Sequence, residues 1–247
     1  MTAHRRRLPA LTLTREMIAR AFPGPLPEDG PPMLHRSDGE LADGLAATMA
    51  EGGVGGGDLW LFAYGSLMWM PEPEIADAER RIAIVPGWHR RFCLWQWRYR
   101  GTRDQPGLML ALDRGGACCG IALRVAGPDA AAKVASVWRR EMIANGYRAR
   151  WVAARLARDK VSRPLPPVRA LTFVVNRDGG RYAGRLDDTT IAAHIAAACG
   201  QRGPSAEYLL ETAAHCAELG IHDRHLWRIQ KLVAERMGGG LPYISAR

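Results

Sequence analysis

The sequence has little lysine: of its 34 basic residues only Lys133, Lys160 and Lys231 are lysines, and the remaining 31 are arginines. It lacks any run of about 18 apolar residues, which excludes a membrane-spanning helix. Cysteine is scarce and irregular. Cys93, Cys118, Cys119, Cys199 and Cys216 form no CxxC pair, so neither a disulfide scaffold nor a zinc ribbon is expected. Adjacent Cys118 and Cys119 would point to opposite faces of a strand and cannot converge on one ligand. Also missing are a Walker lysine, a GxGxxG register, a GxSxG elbow, an SxxK pair and an HExxH pair. Residues 1–13 carry an arginine cluster but no uninterrupted apolar stretch of secretory length, so a cytoplasmic location with reduced thiols is expected.

What is present is ordinary in bulk and uneven in charge. The 247 residues are 47% hydrophobic and 24% charged, enough for one large domain or two small ones. The formal net charge is +9. Residues 1–57 are nearly balanced, with 6 basic and 7 acidic side chains, whereas residues 80–185 hold 22 basic and 6 acidic ones. Such a stretch either attracts anions to a basic surface or reflects an arginine-rich composition whose guanidinium groups are simply solvated. Composition does not separate the two.

The first 57 residues read as an appended arm and linker, with a catalytic domain over 58–247. Leu11 to Phe22 suits one short helix opened by Thr12 or Thr14, and is followed by Pro23-Gly24-Pro25-Leu26-Pro27, the proline pair at 31–32 and the glycine-rich run at 52–57. That glycine run precedes a strand pattern instead of following one, so it reads as linker and not as a phosphate loop. From Asp58 onward, apolar or alternating segments at 59–64, 82–85, 91–97, 108–113, 119–125, 149–156 and 168–175 predict strands. Helices are predicted over about 129–145, 189–199, 206–218 and 224–237, with Asp129, Asp188 and Asp223 as caps and glycines at their ends. The order predicts an α+β fold built on a mixed or barrel-like sheet.

Three segments could carry chemistry. On the 129–145 helix, Val134, Val137, Trp138, Glu141 and Met142 share one stripe. The residues three and four positions from Glu141 are Val137, Trp138, Ala144 and Asn145, none cationic. Buried without a cation, Glu141 would have a raised pKa and could shuttle protons near neutral pH; at the stripe's edge it would instead meet an arginine from elsewhere. The strand Leu59–Ala63 runs into Tyr64-Gly65-Ser66-Leu67-Met68, whose amides can line one cavity and bind a carboxylate or developing oxyanion. Ser66 as a nucleophile has no supporting motif. The polar loop from Tyr99 to Gly107, with Arg100, either closes over an anionic substrate or is only a connection. His215, Cys216, His222 and His225 lack metal-ligand spacing, and no metal is expected.

Together, Leu61-Phe62-Ala63-Tyr64-Gly65-Ser66-Leu67-Met68-Trp69, Pro86-Gly87-Trp88-His89-Arg90-Arg91-Phe92 and Arg100-Gly101-Thr102 with Pro106-Gly107 resemble the ChaC family. The likeness continues through Cys119-Gly120, Trp138-Arg139-Arg140-Glu141-Met142 with Gly146-Tyr147, and Glu207-Tyr208-Leu209, covering about residues 58–235 in order. Members of that family are glutathione-specific γ-glutamylcyclotransferases. The resemblance implies a γ-glutamylcyclotransferase-like mixed β-barrel with surrounding helices, and a lyase needing no cofactor. It implies that residues 63–68 hold the γ-glutamyl group and that Glu141 is the catalytic acid/base. Arg100 and Tyr147, inside the matched segments, are further expected substrate contacts. Glutathione is then the expected partner, with no nucleic acid and no membrane. Three other readings remain at this level: cyclotransfer on other γ-glutamyl amines, a non-catalytic scaffold, and nucleic-acid binding through Trp95, Trp97 and Tyr99.

Overall fold

Apolar segments between residues 59 and 175 close into a barrel. The computed structural model describes residues 8–28, 35–157 and 166–238. The proline pair at 31–32 and the glycines at 239–240 lie outside them. Strand β1 (Leu59–Ala63) is apolar throughout and almost wholly buried. With β2 (Glu79–Gln96), β3 (Gly107–Val125), β4 (Tyr147–Leu156) and β5 (Val168–Val175) it forms a closed barrel in the order β1-β3-β2-β4-β5, with β3 also pairing β5. β1 runs antiparallel to β3, from Leu59 opposite Val125 to Ala63 opposite Ile121. It runs parallel to β5, Trp60 opposite Ala170. The sheet is therefore mixed, as expected. Leu61, Phe62, Leu123, Leu171 and Phe173 fill the core, where near-complete burial explains the continuous apolar run of β1 and the largely apolar β5, in which the buried Thr172 donates to the Phe62 carbonyl at 2.9 Å.

Two long strands replace four expected short ones. The sequence breaks at Pro86-Gly87 and at Gly115-Gly116, yet β2 and β3 continue through both. Gly87 at φ 81°, Gly115 at 106° and Gly116 at 63° adopt left-handed backbone, which kinks the strands without ending them. Pro86 is exposed there, so its missing N–H leaves no buried acceptor unpaired.

The chain divides into two compact units. The barrel unit comprises residues 33–91 and 110–182; the helical unit comprises 1–32, 92–109 and 183–247. In the helical unit α1 (Arg15–Ala21), capped by Thr14, accompanies α5 (Asp188–Ala197), α6 (Ser205–Glu218) and α7 (Arg224–Gly238). Residues 9–13, before α1, are fastened to α7. The side-chain oxygen of Gln230 on α7 accepts from the amides of Thr12 and Leu13 at 2.8 and 2.9 Å, and Trp227 Nε1 donates to the Pro9 carbonyl at 2.9 Å.

In the barrel unit the expected 129–145 helix is split into α3 (Ala130–Lys133) and α4 (Ala135–Met142). Val134, buried at φ −81° and ψ −8°, makes the break, bracketed by continuing bonds from its amide to Ala130 and from the Trp138 amide back to its carbonyl. A second departure is larger. The sequence reading has linker where the structure has helix α2 (Asp38–Gly52), opened by a reciprocal Ser37–Glu40 capping box. Leu41 and Met49 are buried, and α2 packs on α4: the Trp138 indole N–H donates to the Leu41 carbonyl at 2.8 Å, and Arg139 pairs with Asp38 at 2.7 Å. Proline and glycine flank this helix without entering it, except at the C-terminal Gly52-Gly53 and at Gly39 and Gly44, so composition over the whole stretch concealed it. Among the described residues no helix is long and apolar enough to cross a membrane.

Candidate active site

Helix α4 buries Val137, Trp138 and Met142, the stripe its spacing predicts. Glu141 lies at the stripe's edge, its side chain 15% exposed. Burial pushes its carboxyl above the ordinary carboxylate range; the Arg140 guanidinium draws it back down, and Glu72 pushes it up. The neighbours three and four positions away are non-cationic, as read from the sequence. The cation comes from the adjacent residue instead, with Arg140 Nε 3.3 Å from Glu141 Oε1. Neighbouring positions on a helix do not share a face, so helix-face spacing does not anticipate this pair.

That guanidinium is shared. Arg140 Nη2 donates to Ser66 Oγ at 2.6 Å, and Nη1 donates to the Met70 carbonyl at 2.7 Å and to Glu72 Oε1 at 3.0 Å. It therefore joins α4 to the chain leaving β1. There the backbone passes through Gly65 into a single 3-10 turn, Ser66–Met68, whose first amides, on Ser66 and Leu67, have no acceptor within the turn. Leu67 and Met68 are buried and anchor the turn, and the Met68 carbonyl accepts from Arg80.

The turn is held from behind by buried polar contacts. Arg90, itself buried, donates through Nε to the Tyr64 carbonyl at 2.6 Å and through Nη2 to the Cys119 carbonyl at 2.8 Å. The Tyr64 hydroxyl donates to the Phe173 carbonyl at 2.7 Å. Gly120 is required alongside: a Cβ there would lie 2.3 Å from the Ala63 carbonyl oxygen, so only glycine lets β3 approach this closely.

Of the residues singled out from the sequence, Ala63, Tyr64, Gly65, Ser66, Leu67, Met68, Glu141 and Tyr147 all belong to the barrel unit. Tyr147 opens β4, and its hydroxyl donates to the Leu110 carbonyl at 2.8 Å. Arg100 belongs to the helical unit, where it forms an ion pair with Glu207 and donates to the Pro204 carbonyl at 3.3 Å. Ser66 presents its hydroxyl to a cation and not to a base, an arrangement that does not activate a nucleophile. His225 Nε2 lies 3.1 Å from Asp188, and His215 Nδ1 lies 2.8 Å from the Glu211 carbonyl. Among the described residues no group of three His, Cys, Asp or Glu side chains could hold a metal ion. The sequence reading missed Arg140, Glu72 and Arg90 as parts of the site. Arg140 and Arg90 stand inside the matched segments, but nothing in their spacing shows that one touches Ser66 and the other Tyr64.

Comparison with known proteins places the chain in a family. The family model for ChaC-like protein matches residues 59–236. The chain is 35% identical over 210 residues to the glutathione-specific γ-glutamylcyclotransferase of Escherichia coli K12, covering 82% of this chain and 85% of that one. It is 31% identical over 204 residues to glutathione-specific γ-glutamylcyclotransferase 1 of Mus musculus, covering 80% and 87%. Among solved structures, the γ-glutamyl cyclotransferase specific to glutathione from yeast superposes with a TM-score of 0.65 at 20% identity, over 72% of this chain and 96% of that one, a likeness of fold. With a matched model across most of its length and a relative 35% identical over 82% of the chain, the chain belongs to the ChaC-like protein family.

Proposed function

We propose that this protein is a γ-glutamylcyclotransferase that cleaves glutathione into 5-oxoproline and Cys-Gly. The observation that carries the reading is a carboxylate raised by burial, Glu141, joined through Arg140 to a turn with open amides. In the reaction the α-amine of the γ-glutamyl unit attacks its own side-chain carbonyl carbon. A new C–N bond closes the five-membered lactam, and the old C–N bond to cysteine breaks. No water is consumed. Two protons leave the α-ammonium nitrogen as it becomes the lactam N–H, and two reach the departing nitrogen as its amide N–H becomes the ammonium of Cys-Gly.

Because nucleophile and electrophile belong to one molecule, the protein has no need of a nucleophilic Ser or Cys. Holding the substrate folded back on itself exploits an effective molarity of about 10⁵ M or more. Glu141, ionised, takes a proton from the ammonium nitrogen and returns one to the leaving nitrogen; a carboxyl with a raised pKa is suited to both steps. The amides of the Gly65–Leu67 turn bind the glutamyl unit or the oxygen that gains charge, each such donor contributing about 3 kcal/mol in comparable sites. Tyr147 enters this reading as a substrate contact beside α4. The same proposal puts the reaction in the cytoplasm, the reducing compartment where glutathione persists as a thiol.

Purified full-length protein incubated with glutathione is expected to release 5-oxoproline and Cys-Gly in equal amounts. Glu141→Gln is expected to retain the circular-dichroism spectrum of the wild type and release no 5-oxoproline. Near wild-type turnover by this variant would refute the role given to Glu141. Equal turnover of γ-glutamyl amino acids would refute specificity for glutathione.

A further inference from the structure

Arg140 makes more polar contacts in this region than the reaction outline uses. It is one guanidinium with four partners, three within residues 66–72 and one on its own helix: Ser66 Oγ at 2.6 Å in the turn, the Met70 carbonyl at 2.7 Å just after it, Glu72 at 3.0 Å, and Glu141 at 3.3 Å. Its side chain is 23% exposed and that of Glu72 25%, so both stand at the edge of the site and not deep in the core.

We infer that Arg140 is a positioning residue of the reaction, tying the substrate-binding turn to the acid/base carboxylate, and that Glu72 shares its charge so that Glu141 stays free to exchange a proton. The inference rests on the cyclotransferase reading of the site.

Guanidinium geometry supports it. Its donors lie in a fixed planar fork, and with Nη2 donating to Ser66 and Nη1 to Glu72 and Met70, Glu141 meets Nε at 3.3 Å as an ion pair and not as a hydrogen-bond acceptor. The contact with Glu141 is then the longest of the four. A full bidentate pair would hold the carboxylate in its charged form and blunt its use as an acid. The other charged groups nearby are engaged elsewhere. Arg80 donates to the Met68 carbonyl, Glu74 accepts from the Ser136 hydroxyl at 2.8 Å, and Arg139 pairs with Asp38. The charge acting on Glu141 is thus set chiefly by Arg140 and Glu72, which oppose one another.

The test compares Arg140→Gln, Arg140→Lys and Glu72→Gln in the full chain, reading kcat and KM for 5-oxoproline release across pH alongside thermal melting. The acid limb of kcat/KM follows ionisation of the base. Removing the cation in Arg140→Gln should move that limb to higher pH, and removing the anion in Glu72→Gln should move it to lower pH. Arg140→Gln should also lower kcat/KM on the order of tenfold to a hundredfold through a misplaced turn. Arg140→Lys keeps the charge but loses the fork, so it should restore the limb position without restoring the rate. Should Arg140→Gln fail to fold, the Glu72→Gln profile decides alone. Limbs that stay put, or that move the same way in both variants, overturn the inference while leaving the cyclotransferase reading intact. A wild-type chain releasing no 5-oxoproline overturns that reading, and the inference falls with it.

Discussion

Glu141 is a carboxyl whose burial works against stability at neutral pH. Its carboxyl is raised by burial, so the folded state holds that proton more tightly than the unfolded chain does. The folded form therefore binds more protons across the pH range between the ordinary carboxylate value and the raised one, and stability falls as pH rises through that range. At neutral pH the charged form carries the cost of its burial. Glu141→Gln should accordingly melt at a higher temperature than wild type at pH 7 and lose that advantage below the carboxylate range; melting curves at several pH values would show it. An unchanged or lower melting temperature at neutral pH would mean that Arg140 already offsets the burial.

Among the elements, α2 has a consequence its composition concealed. It covers Trp138 on α4, and the residues before it grip the end of that helix: the Arg36 amide donates to the Ile143 carbonyl at 2.8 Å, and its guanidinium donates to the Met142 and Ala144 carbonyls. A cation on the last carbonyls of α4 also complements the negative end of the helix dipole. The helix that presents Glu141 is thus braced by a segment that lies before the matched residues 59–236. Gly44 faces the Trp138 indole, where a Cβ would lie 3.1 Å from Cζ2. Gly44→Leu should wedge α2 away and cost about 1–3 kcal/mol, read by denaturant unfolding, with a loss of turnover. Unchanged stability would show that α2 accommodates the side chain by shifting freely and braces nothing. At this scale the sequence was partly legible. The stripe of α4 and the Asp223 cap of α7 could be read from spacing, and the cap of α5 falls one residue early, on Asp187 instead of Asp188; α2 could not be read, because it is fastened by two tryptophans far along the chain, Trp138 to Leu41 and Trp151 to Thr48.

Across the whole molecule the arginine excess resolves into many local pairings. Asp113 on β3 is the clearest case. It is buried, accepts from Arg177 Nε at 2.8 Å and from the Arg114 amide at 2.9 Å, and lies 3.6 Å from Arg91 on β2. Burial alone would raise its pKa, but the Arg177 hydrogen bonds and the Arg114 amide hold it below the usual carboxylate value. Its contribution to stability is therefore present above the ordinary carboxylate pKa and is lost as pH falls through the depressed one. Asp113→Ala should destabilise the barrel by about 3 kcal/mol at neutral pH by leaving Arg91 buried beside an empty site, and should flatten the acid limb of the stability curve. Equal acid sensitivity in variant and wild type would refute this. Other arginines bind main-chain carbonyls or lie over rings: Arg169 donates to the Glu51 carbonyl at 2.9 Å and covers Trp151. Among the described cations of 80–185 only Arg90 and Arg91 are buried, and several exposed ones, such as Arg124, Arg139 and Arg148, pair with carboxylates at the surface.

By itself the sequence determined the mixed barrel, the turn after β1 and the candidate carboxylate. Each is written in short-range terms: apolar runs between glycine and proline, an apolar strand ending in Tyr-Gly-Ser, an acid on an apolar stripe. The family resemblance, an ordered series of such segments, was legible for the same reason. Only the tertiary structure decided that β2 and β3 run through their glycines, that α2 braces α4, and that Arg140 joins Ser66, Glu72 and Glu141. Those facts depend on contacts between residues tens of positions apart. Sequence periodicity reports which face of an element is buried, but not which distant atoms it meets there.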